Sequence, residues 1–252
     1  HGRVERGAYP AILTSASAHF SIARAAVAAG LGTDAVVHIR TDAHGRMDVR
    51  ELERMCAEMQ ADAAHPQGVP LIVCATSGTT VLGAFDDVAA IAEVCRKYDL
   101  WLHVDASWGG AAAFLPHDAP ERSVLAGLEN AHSITINPHK LLGVTHQCSF
   151  LLVHDKSVLI PPSHSDGGYL FHVPAEDALD MATKTLGCGR RGDALKFYLV
   201  WLRYGTQGLG DHIAHGLRMA QALWQRLQLI PSLELGPHAD PLFLPVSYTH
   251  LR

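Results

Sequence analysis

Two residues of this chain have the chemical types and surroundings that covalent chemistry on a bound cofactor requires. Lys140 follows a predicted strand and an Asn-Pro-His turn, and an apolar Leu-Leu pair comes directly after it. A lysine beside apolar groups loses its charge more readily, and an amine that forms an imine must be uncharged. Asp105 ends a Trp-Leu-His-Val strand and precedes a glycine-rich turn. A buried carboxylate there can hold a ring nitrogen protonated, and these are the two groups that pyridoxal phosphate chemistry needs.

Each candidate residue also has a plainer interpretation. A single lysine is most often a solvated surface charge, and an aspartate at a strand end is often a helix cap or a turn former. His19, between a predicted strand and a helix, fits either a histidine of a capping region or a ring stacked on a cofactor. Thr79 and Thr80 are either ordinary turn residues or ligands of cofactor oxygens, and His139 offers a donor for a phosphate.

Two further histidines have the spacing of a partial metal site. His212 and His215 are three residues apart on a predicted helix. The chain has 17 histidines, so such a pair is expected by chance, and no cysteine or carboxylate completes a ligand set. We therefore predict no metal site.

The predicted elements place the candidate residues at one edge of a sheet. Strands alternate with helices, which predicts an α/β fold with a mostly parallel, doubly wound sheet covered on both faces. Ligands bind at the carboxyl ends of the strands in such sheets, and the candidate residues follow strands. The predicted strands are 11–14, 35–39, 70–75, 100–104, 133–136 and 149–153, and the predicted helices are 21–29, 48–59, one capped by Asp86, 193–203 and 210–229.

The pattern changes after Gly189, where two long amphipathic helices are predicted. We expect residues 1–195 to form a large domain that lacks its N-terminal part, because His1 is not an initiator methionine. Residues 196–245 are expected to begin a smaller C-terminal domain. Residues 246–252 can be encoded by a transposon-end sequencing adapter, and we expect them to be translated adapter rather than native sequence.

The composition is that of an ordinary globular protein. The chain has 252 residues, of which 48% are hydrophobic and 18% are charged. The net charge is -5 and no basic cluster stands out, which argues against nucleic acid as a partner. No apolar run approaches the roughly 18 residues of a membrane span. The five scattered cysteines predict reduced thiols and a cytoplasmic location.

Several long segments, in the correct order, resemble those of the group II pyridoxal-phosphate-dependent amino-acid decarboxylases. The resemblance covers nearly the whole chain, from Thr14 through Gly208, and is closest to the glutamate and cysteine-sulfinate branch. The segments are GTTVLGAFD at 78–86, WLHVDASWGG at 101–110, NPHK at 137–140 with QCS at 147–149, YLF at 169–171 and CGRR at 188–191.

The resemblance implies a fold type I homodimer with the active site at the dimer interface and pyridoxal 5'-phosphate as cofactor. By matching positions, it implies that Lys140 is the Schiff-base lysine, Asp105 the partner of the pyridine nitrogen and His19 the ring stacked on the cofactor. It places Gly189 near the phosphate of the neighbouring subunit. The other residues expected around the cofactor are Thr80, Ser107, Asn137 and His139.

The chain departs from the family pattern at two places. The family commonly has Ala-Ala after the aspartate, and this chain has Ala-Ser, ending in Ser107. Many members carry a tyrosine on the mobile loop after Tyr-Leu-Phe that is thought to donate a proton to the substrate carbon. No tyrosine lies between Tyr169 and Tyr198 in this sequence, which leaves the proton donor open. The loop carries these polar residues instead: His172, Glu176, Asp177 and Asp180.

These features favour decarboxylation of an L-amino acid to the amine and CO2. An acidic substrate such as glutamate, aspartate or cysteine sulfinate is implied by the branch resemblance. The alternatives are another fold type I reaction, lyase cleavage or oxidative deamination, and a non-catalytic homologue that binds the cofactor or a partner. The presence of both Lys140 and Asp105 argues against the non-catalytic alternative.

Overall fold

A six-stranded sheet forms the centre of the protein. In this computed structural model, residues 9–62, 65–159, 184–185, 189 and 191–232 are described. The strands are β1 (Pro10–Ser15), β2 (Val36–Ile39), β3 (Val69–Thr76), β4 (Trp101–Asp105), β5 (Ser133–Ile136) and β6 (Phe150–Val153). Their order is β2-β1-β3-β4-β5-β6. The first five are parallel, and β6 pairs antiparallel with β5 at the edge.

The central strands are apolar because both faces of the sheet are covered. Leu13, Val73 and Leu102, from three neighbouring strands, have no exposed surface. Parallel sheets with helices on their faces have such nearly continuous apolar strands. The predicted strands are confirmed, each with its ends shifted by at most one residue.

Three helices connect the strands: α1 (Ser21–Ala28), α2 (Val49–Ala61) and α3 (Val88–Lys97). The core lies between the sheet and α2 and α3, where Leu52, Met59 and Ile91 are completely buried. Burying a side chain of this size contributes about 1.5–3 kcal/mol relative to leaving it exposed. α2 begins after Asp48, whose side chain accepts hydrogen bonds from two backbone N–H groups of the first turn.

The cap of α3 differs from the prediction. Asp87 is the N-cap, and its side chain accepts the backbone N–H of Ala90 at 3.0 Å. Asp86 is buried instead, and its carboxylate accepts the backbone N–H groups of Met47 at 2.6 Å and Thr76 at 2.8 Å. The local sequence allows either Asp86 or Asp87 to cap the helix. The long-range hydrogen bond from the Met47 N–H engages Asp86 elsewhere and leaves Asp87 as the cap.

The last described helical segment is α4 (Asp193–Leu227), in which two helices meet at a kink, in agreement with the two separate helices that were predicted. It is interrupted at Gly205, where φ is 66° and ψ is 176°. Its second half packs Leu209 and Ile213 against a 3-10 helix at Gly109–Phe114 and the loop after Lys140, in a second apolar cluster. A domain division at residue 195 stays a prediction.

None of the helices in the described ranges combines the length and apolar character needed to cross a membrane. Several sequence predictions fall outside the described residues: the Tyr-Leu-Phe segment at 169–171, the polar loop residues 172–180, residues 188 and 190 of the Cys-Gly-Arg-Arg segment and the adapter-like residues 246–252.

Candidate active site

A cavity of about 530 Å³ opens at the carboxyl ends of the parallel strands. Ligands of doubly wound sheets bind at this edge. Gly189, the eighth predicted site residue, is not part of the cavity wall that the structure describes. The structure brings the other seven together in that wall: His19, Thr80, Asp105, Ser107, Asn137, His139 and Lys140.

Lys140 lies in a tight turn that follows β5. Its backbone N–H donates to the carbonyl of Asn137 at 2.9 Å, and its own carbonyl accepts from Gly143 at 3.1 Å. The side chain is half-buried, and this burial lowers the pKa of the ε-ammonium group below its usual value of 10.5. The negative charge of Asp105 opposes that effect. The neutral amine is therefore more accessible here than on a solvated lysine, as a nucleophile requires.

Asp105 is the last residue of β4. Its Oδ1 accepts the backbone N–H of Ser107 at 3.0 Å, which fixes the carboxylate in a local turn. Its backbone carbonyl accepts from Ser77 at 2.9 Å, so the end of β4 is tied to the loop after β3. The carboxylate is therefore oriented by the backbone, and it lies in the same cavity wall as Lys140.

The two interpretations of His19 are compatible. Its Nδ1 accepts the backbone N–H of Ser21, the first residue of α1, at 3.2 Å, as a histidine of a capping region does. The ring also lines the cavity and lies 4.1 Å from the ring of Phe20. Because Nδ1 is an acceptor, neutral His19 carries its proton on Nε2.

His139 is held by the backbone of the following loop. Its Nδ1 lies 3.0 Å from the N–H and 2.5 Å from the carbonyl oxygen of Cys148. The Cys148 thiol in turn lies 3.4 Å from the carbonyl of Asp193, at the start of α4. The turn that carries Lys140 is thus connected to α4 as well as to the sheet.

The hydroxyl groups after β3 have separate roles. Thr79 is buried, and its Oγ1 accepts the backbone N–H of Ala84 at 2.9 Å, so it shapes the turn. Thr80 lines the cavity instead. Asn137 contributes a buried Oδ1 that has no hydrogen-bond partner among the described residues. A buried acceptor without a donor costs roughly 1–3 kcal/mol, so this atom is suited to a ligand that donates to it.

Sequence reasoning missed His103 and Asp86. His103 lines the cavity beside Asp105, and strand alternation puts both on one face of β4, so the Trp-Leu-His-Val-Asp pattern carried the signal. Burial raises the pKa of Asp86 to about 6. Its two backbone partners are far apart in sequence, and no local pattern indicates them.

The described residues contain no group of three or more histidine, cysteine, aspartate or glutamate side chains placed to hold a metal ion. The arrangement is instead suited to a planar ligand with an electrophilic carbon and a basic ring nitrogen. Lys140 supplies a nucleophilic amine, Asp105 a carboxylate and His19 an aromatic face.

Comparisons with known proteins agree with this geometry. The family profile of the pyridoxal-dependent decarboxylase conserved domain matches residues 4–238. L-aspartate decarboxylase from Metarhizium robertsii is 42% identical over 233 residues, which cover 92% of this chain and 45% of that protein. Human cysteine sulfinic acid decarboxylase is 42% identical over 241 residues, which cover 94% of this chain and 47% of that protein. The chain therefore spans about half the length of the curated relatives it matches.

Solved structures show the same similarity. A crystal structure of mouse CSAD aligns with a TM-score of 0.80 and 40% identity, over 92% of this chain and 48% of that one. Rhodiola rosea 4-hydroxyphenylacetaldehyde synthase aligns with a TM-score of 0.75 and 27% identity, over 89% of this chain and 44% of that one. These likenesses confirm the α/β fold expected from the sequence, and the profile and the relatives confirm the family resemblance.

Proposed function

Because the chain belongs to the pyridoxal-dependent decarboxylase family, we propose that it decarboxylates an acidic L-amino acid to the amine and CO2. The observation that carries the proposal is the position of Lys140 and Asp105 in one cavity wall. An acidic substrate is supported by the relatives, which are named for aspartate and cysteine sulfinate. The family's cofactor is pyridoxal 5'-phosphate.

The residues of the cavity fit this cofactor. The unpartnered Oδ1 of Asn137 is a buried acceptor in the wall, and the wall also has hydroxyl groups from Thr80 and Ser107. Lys140 has an amine whose pKa is lowered by burial, which suits a bond to an aldehyde carbon. We propose that Gly189 reaches the phosphate of a neighbouring subunit, as the family resemblance implies.

Each residue has a distinct role in the proposed reaction. Pyridoxal phosphate supplies, when bound, an electron-withdrawing ring that accepts the electron pair released as CO2 leaves the substrate. Lys140 holds the cofactor through its ε-amino group, and Asp105 holds a proton at the ring nitrogen. His19 covers one face of the ring and limits access of water. His139 is kept in place by Cys148 and lies in the cavity wall next to Lys140.

One sequence feature favours a second reaction. The usual tyrosine is missing between Tyr169 and Tyr198, so protonation of the substrate carbon has no familiar donor there. Oxidative deamination to an aldehyde, or a lyase reaction, is the alternative, and one structural neighbour is named as an aldehyde synthase. Product analysis with aspartate, glutamate and cysteine sulfinate separates them, because decarboxylation gives amine and CO2 without aldehyde.

We further propose a cytoplasmic homodimer. The four described cysteines are free and buried, which supports a reducing compartment. The first half of α4 exposes Leu199 and Leu202 at 53% and 70%, and such an apolar surface supports an interface between subunits.

Borohydride trapping tests the role of Lys140. The protein is incubated with pyridoxal phosphate, reduced with borohydride and digested, and the pyridoxyl group is located by peptide mapping. We expect the label on Lys140 and little on Lys97, an exposed lysine whose pKa is raised by its hydrogen bond to Glu53. A label distributed over surface lysines and sparing Lys140 contradicts the proposal.

A further inference from the structure

A chain of polar side chains runs along one face of the sheet toward the cavity. Trp101 Nε1–H donates to Ser133 Oγ at 2.9 Å, and the same oxygen lies 2.8 Å from His103 Nδ1. The other ring nitrogen, His103 Nε2, lies 3.4 Å from Thr135 Oγ1. The register of β4 and β5 produces this order, because His103 lies opposite Ser133 and Asp105 opposite Thr135.

The hydrogen-bond partners assign the proton on His103. Trp101 can only donate, so it occupies one lone pair of Ser133 Oγ. Ser133 is buried, and within the described part of the chain its hydroxyl proton has no acceptor other than His103 Nδ1. The hydroxyl therefore donates to Nδ1, and the imidazole carries its proton on Nε2. The opposite assignment leaves the buried hydroxyl proton unpaired, which costs roughly 1–3 kcal/mol.

This arrangement resists protonation of His103 to the imidazolium, which would put a positive charge beside Asp105. An imidazolium carries protons on both ring nitrogens, so it displaces the hydroxyl proton of Ser133 from its acceptor. Burial acts in the same direction and lowers the pKa of His103, while the charge of Asp105 raises it.

The other titratable groups around His103 are few. Cys74 lies opposite it on β3, and burial raises the pKa of that thiol to about 12, so it stays neutral. The remaining titratable groups of the described cavity wall are His19, His139 and Lys140.

We propose that Trp101 and Ser133 are positioning residues that hold His103 as the neutral Nε2–H tautomer, so that Asp105 keeps its charge for the cofactor's ring nitrogen. A charged His103 pairs with Asp105 and competes with that nitrogen for the carboxylate. The tautomer follows from the protein alone, and only its purpose rests on the proposed function.

The tautomer is measured on the cofactor-free protein by NMR with ¹⁵N-labelled histidine. The His103 signals are identified by their loss in His103→Gln, and the shifts of the two ring nitrogens show which one carries the proton. We expect a proton on Nε2 at pH 7. A proton on Nδ1, or on both nitrogens, overturns the proposal without any further variant.

A matched pair of variants on β5 tests the cause. Ser133→Ala removes the donor that stabilises neutral His103, and we expect the titration midpoint of His103 to rise by roughly one pH unit. Thr135→Val removes the partner of Nε2, which donates in both charge states, and we expect a much smaller change. Equal shifts in the two variants, or no shift in Ser133→Ala, overturn the proposal.

The bound cofactor gives a separate measurement. If the proposed function holds, the visible absorbance of the loaded Ser133→Ala protein changes with pH near the new His103 midpoint, whereas that of the wild type does not. If Lys140 takes no pyridoxyl label, the proposed function fails, yet the tautomer measured in the cofactor-free protein is unaffected. The two failures are therefore distinguishable.

Discussion

At the scale of single residues, Lys140 and Asp105 affect each other through the cavity. Burial lowers the pKa of Lys140, and the charge of Asp105 partly restores it. A cation that pairs with the Asp105 carboxylate, such as a protonated ring nitrogen, neutralises its charge. Asp105 then no longer stabilises the ammonium form of Lys140. Under the proposed function, binding of the cofactor would thereby favour the neutral amine, which is the form that reacts with an aldehyde.

Replacement of Asp105 tests its electronic role. We expect Asp105→Asn to lower turnover roughly a hundredfold or more, because charge stabilisation of this kind is typically several kcal/mol. The amide still accepts the N–H of Ser107, so the local turn is kept. The matched control is Asp118→Asn at an exposed position, which should leave turnover unchanged. Near-normal turnover of Asp105→Asn contradicts the role.

Residue types and motifs predicted much of the cavity wall, because the position of these residues depends on nearby strands in the sequence. Asp105 ends a strand, and Lys140 and His19 each lie four residues after a strand end, so the strand prediction positions them. Asp86 was predicted as a helix cap and is not one, because its hydrogen bond to Met47 spans 39 residues. Such a contact depends on how two loops pack, which no short sequence pattern specifies.

At the scale of elements, Asp86 joins two loops at the edge of the cavity. Its carboxylate connects Met47, at the end of one turn, to Thr76, at the end of β3. Thr76 and Gly78 line the cavity, and the turn beyond them carries Thr80. Asp86 therefore supports one wall of the cavity from behind, without touching a ligand.

We expect Asp86→Asn to lower the free energy of unfolding by roughly 1–3 kcal/mol and to weaken cofactor binding. An amide can accept from one of the two backbone N–H groups and leaves the other unpaired. Asp87→Asn is the matched control, since this exposed residue caps α3 and asparagine caps a helix as well as aspartate does. Chemical denaturation and cofactor titration measure both effects, and equal behaviour of the two variants contradicts the role of Asp86.

Asp86 also predicts a dependence of stability on pH. Its pKa in the folded protein is about 6, above the ordinary value of 3.8, so the folded state holds a proton that the unfolded chain has lost. The contribution of Asp86 to stability therefore falls as pH rises from about 4 to about 6, by up to about 3 kcal/mol. Denaturation of wild type and Asp86→Asn across this range isolates the effect, because the other carboxylates titrate in both proteins: the stability of the wild type relative to the variant should fall as pH rises.

The interruption of α4 depends on one glycine. Gly205 has φ 66° and ψ 176°, a conformation that is essentially restricted to glycine. We expect Gly205→Ala to destabilise the protein by roughly 1–3 kcal/mol. Gly216→Ala, at a regular position of the same helix with nothing within 4 Å of the added carbon, should stabilise it by about 0.4–1 kcal/mol. Thermal denaturation compares the two, and changes of the same sign contradict the assignment.

At the scale of the whole molecule, the alternation of strands and helices predicted the sheet because each strand is short, apolar and bounded by turn residues. The break between the two predicted helices, 193–203 and 210–229, lies at Gly205 within α4, in a stretch that has glycines at 205, 208 and 210. Only one of them has a non-helical conformation, and Gly210 instead allows close packing: a Cβ there lies 2.4 Å from the carbonyl oxygen of Phe114.

The same helix leads to a prediction about assembly. Leu199 and Leu202 are exposed on the first half of α4, next to further exposed apolar side chains at Leu195 and Tyr198. Burying a leucine side chain contributes about 1.5–3 kcal/mol, so an interface over this surface is stabilised by several such side chains. We expect Leu199→Ser with Leu202→Ser to shift the protein toward monomer in sedimentation experiments. Met219→Ser, at a similarly exposed position of the second half, should leave the assembly unchanged, and a wild type that stays monomeric at high concentration contradicts the proposed homodimer.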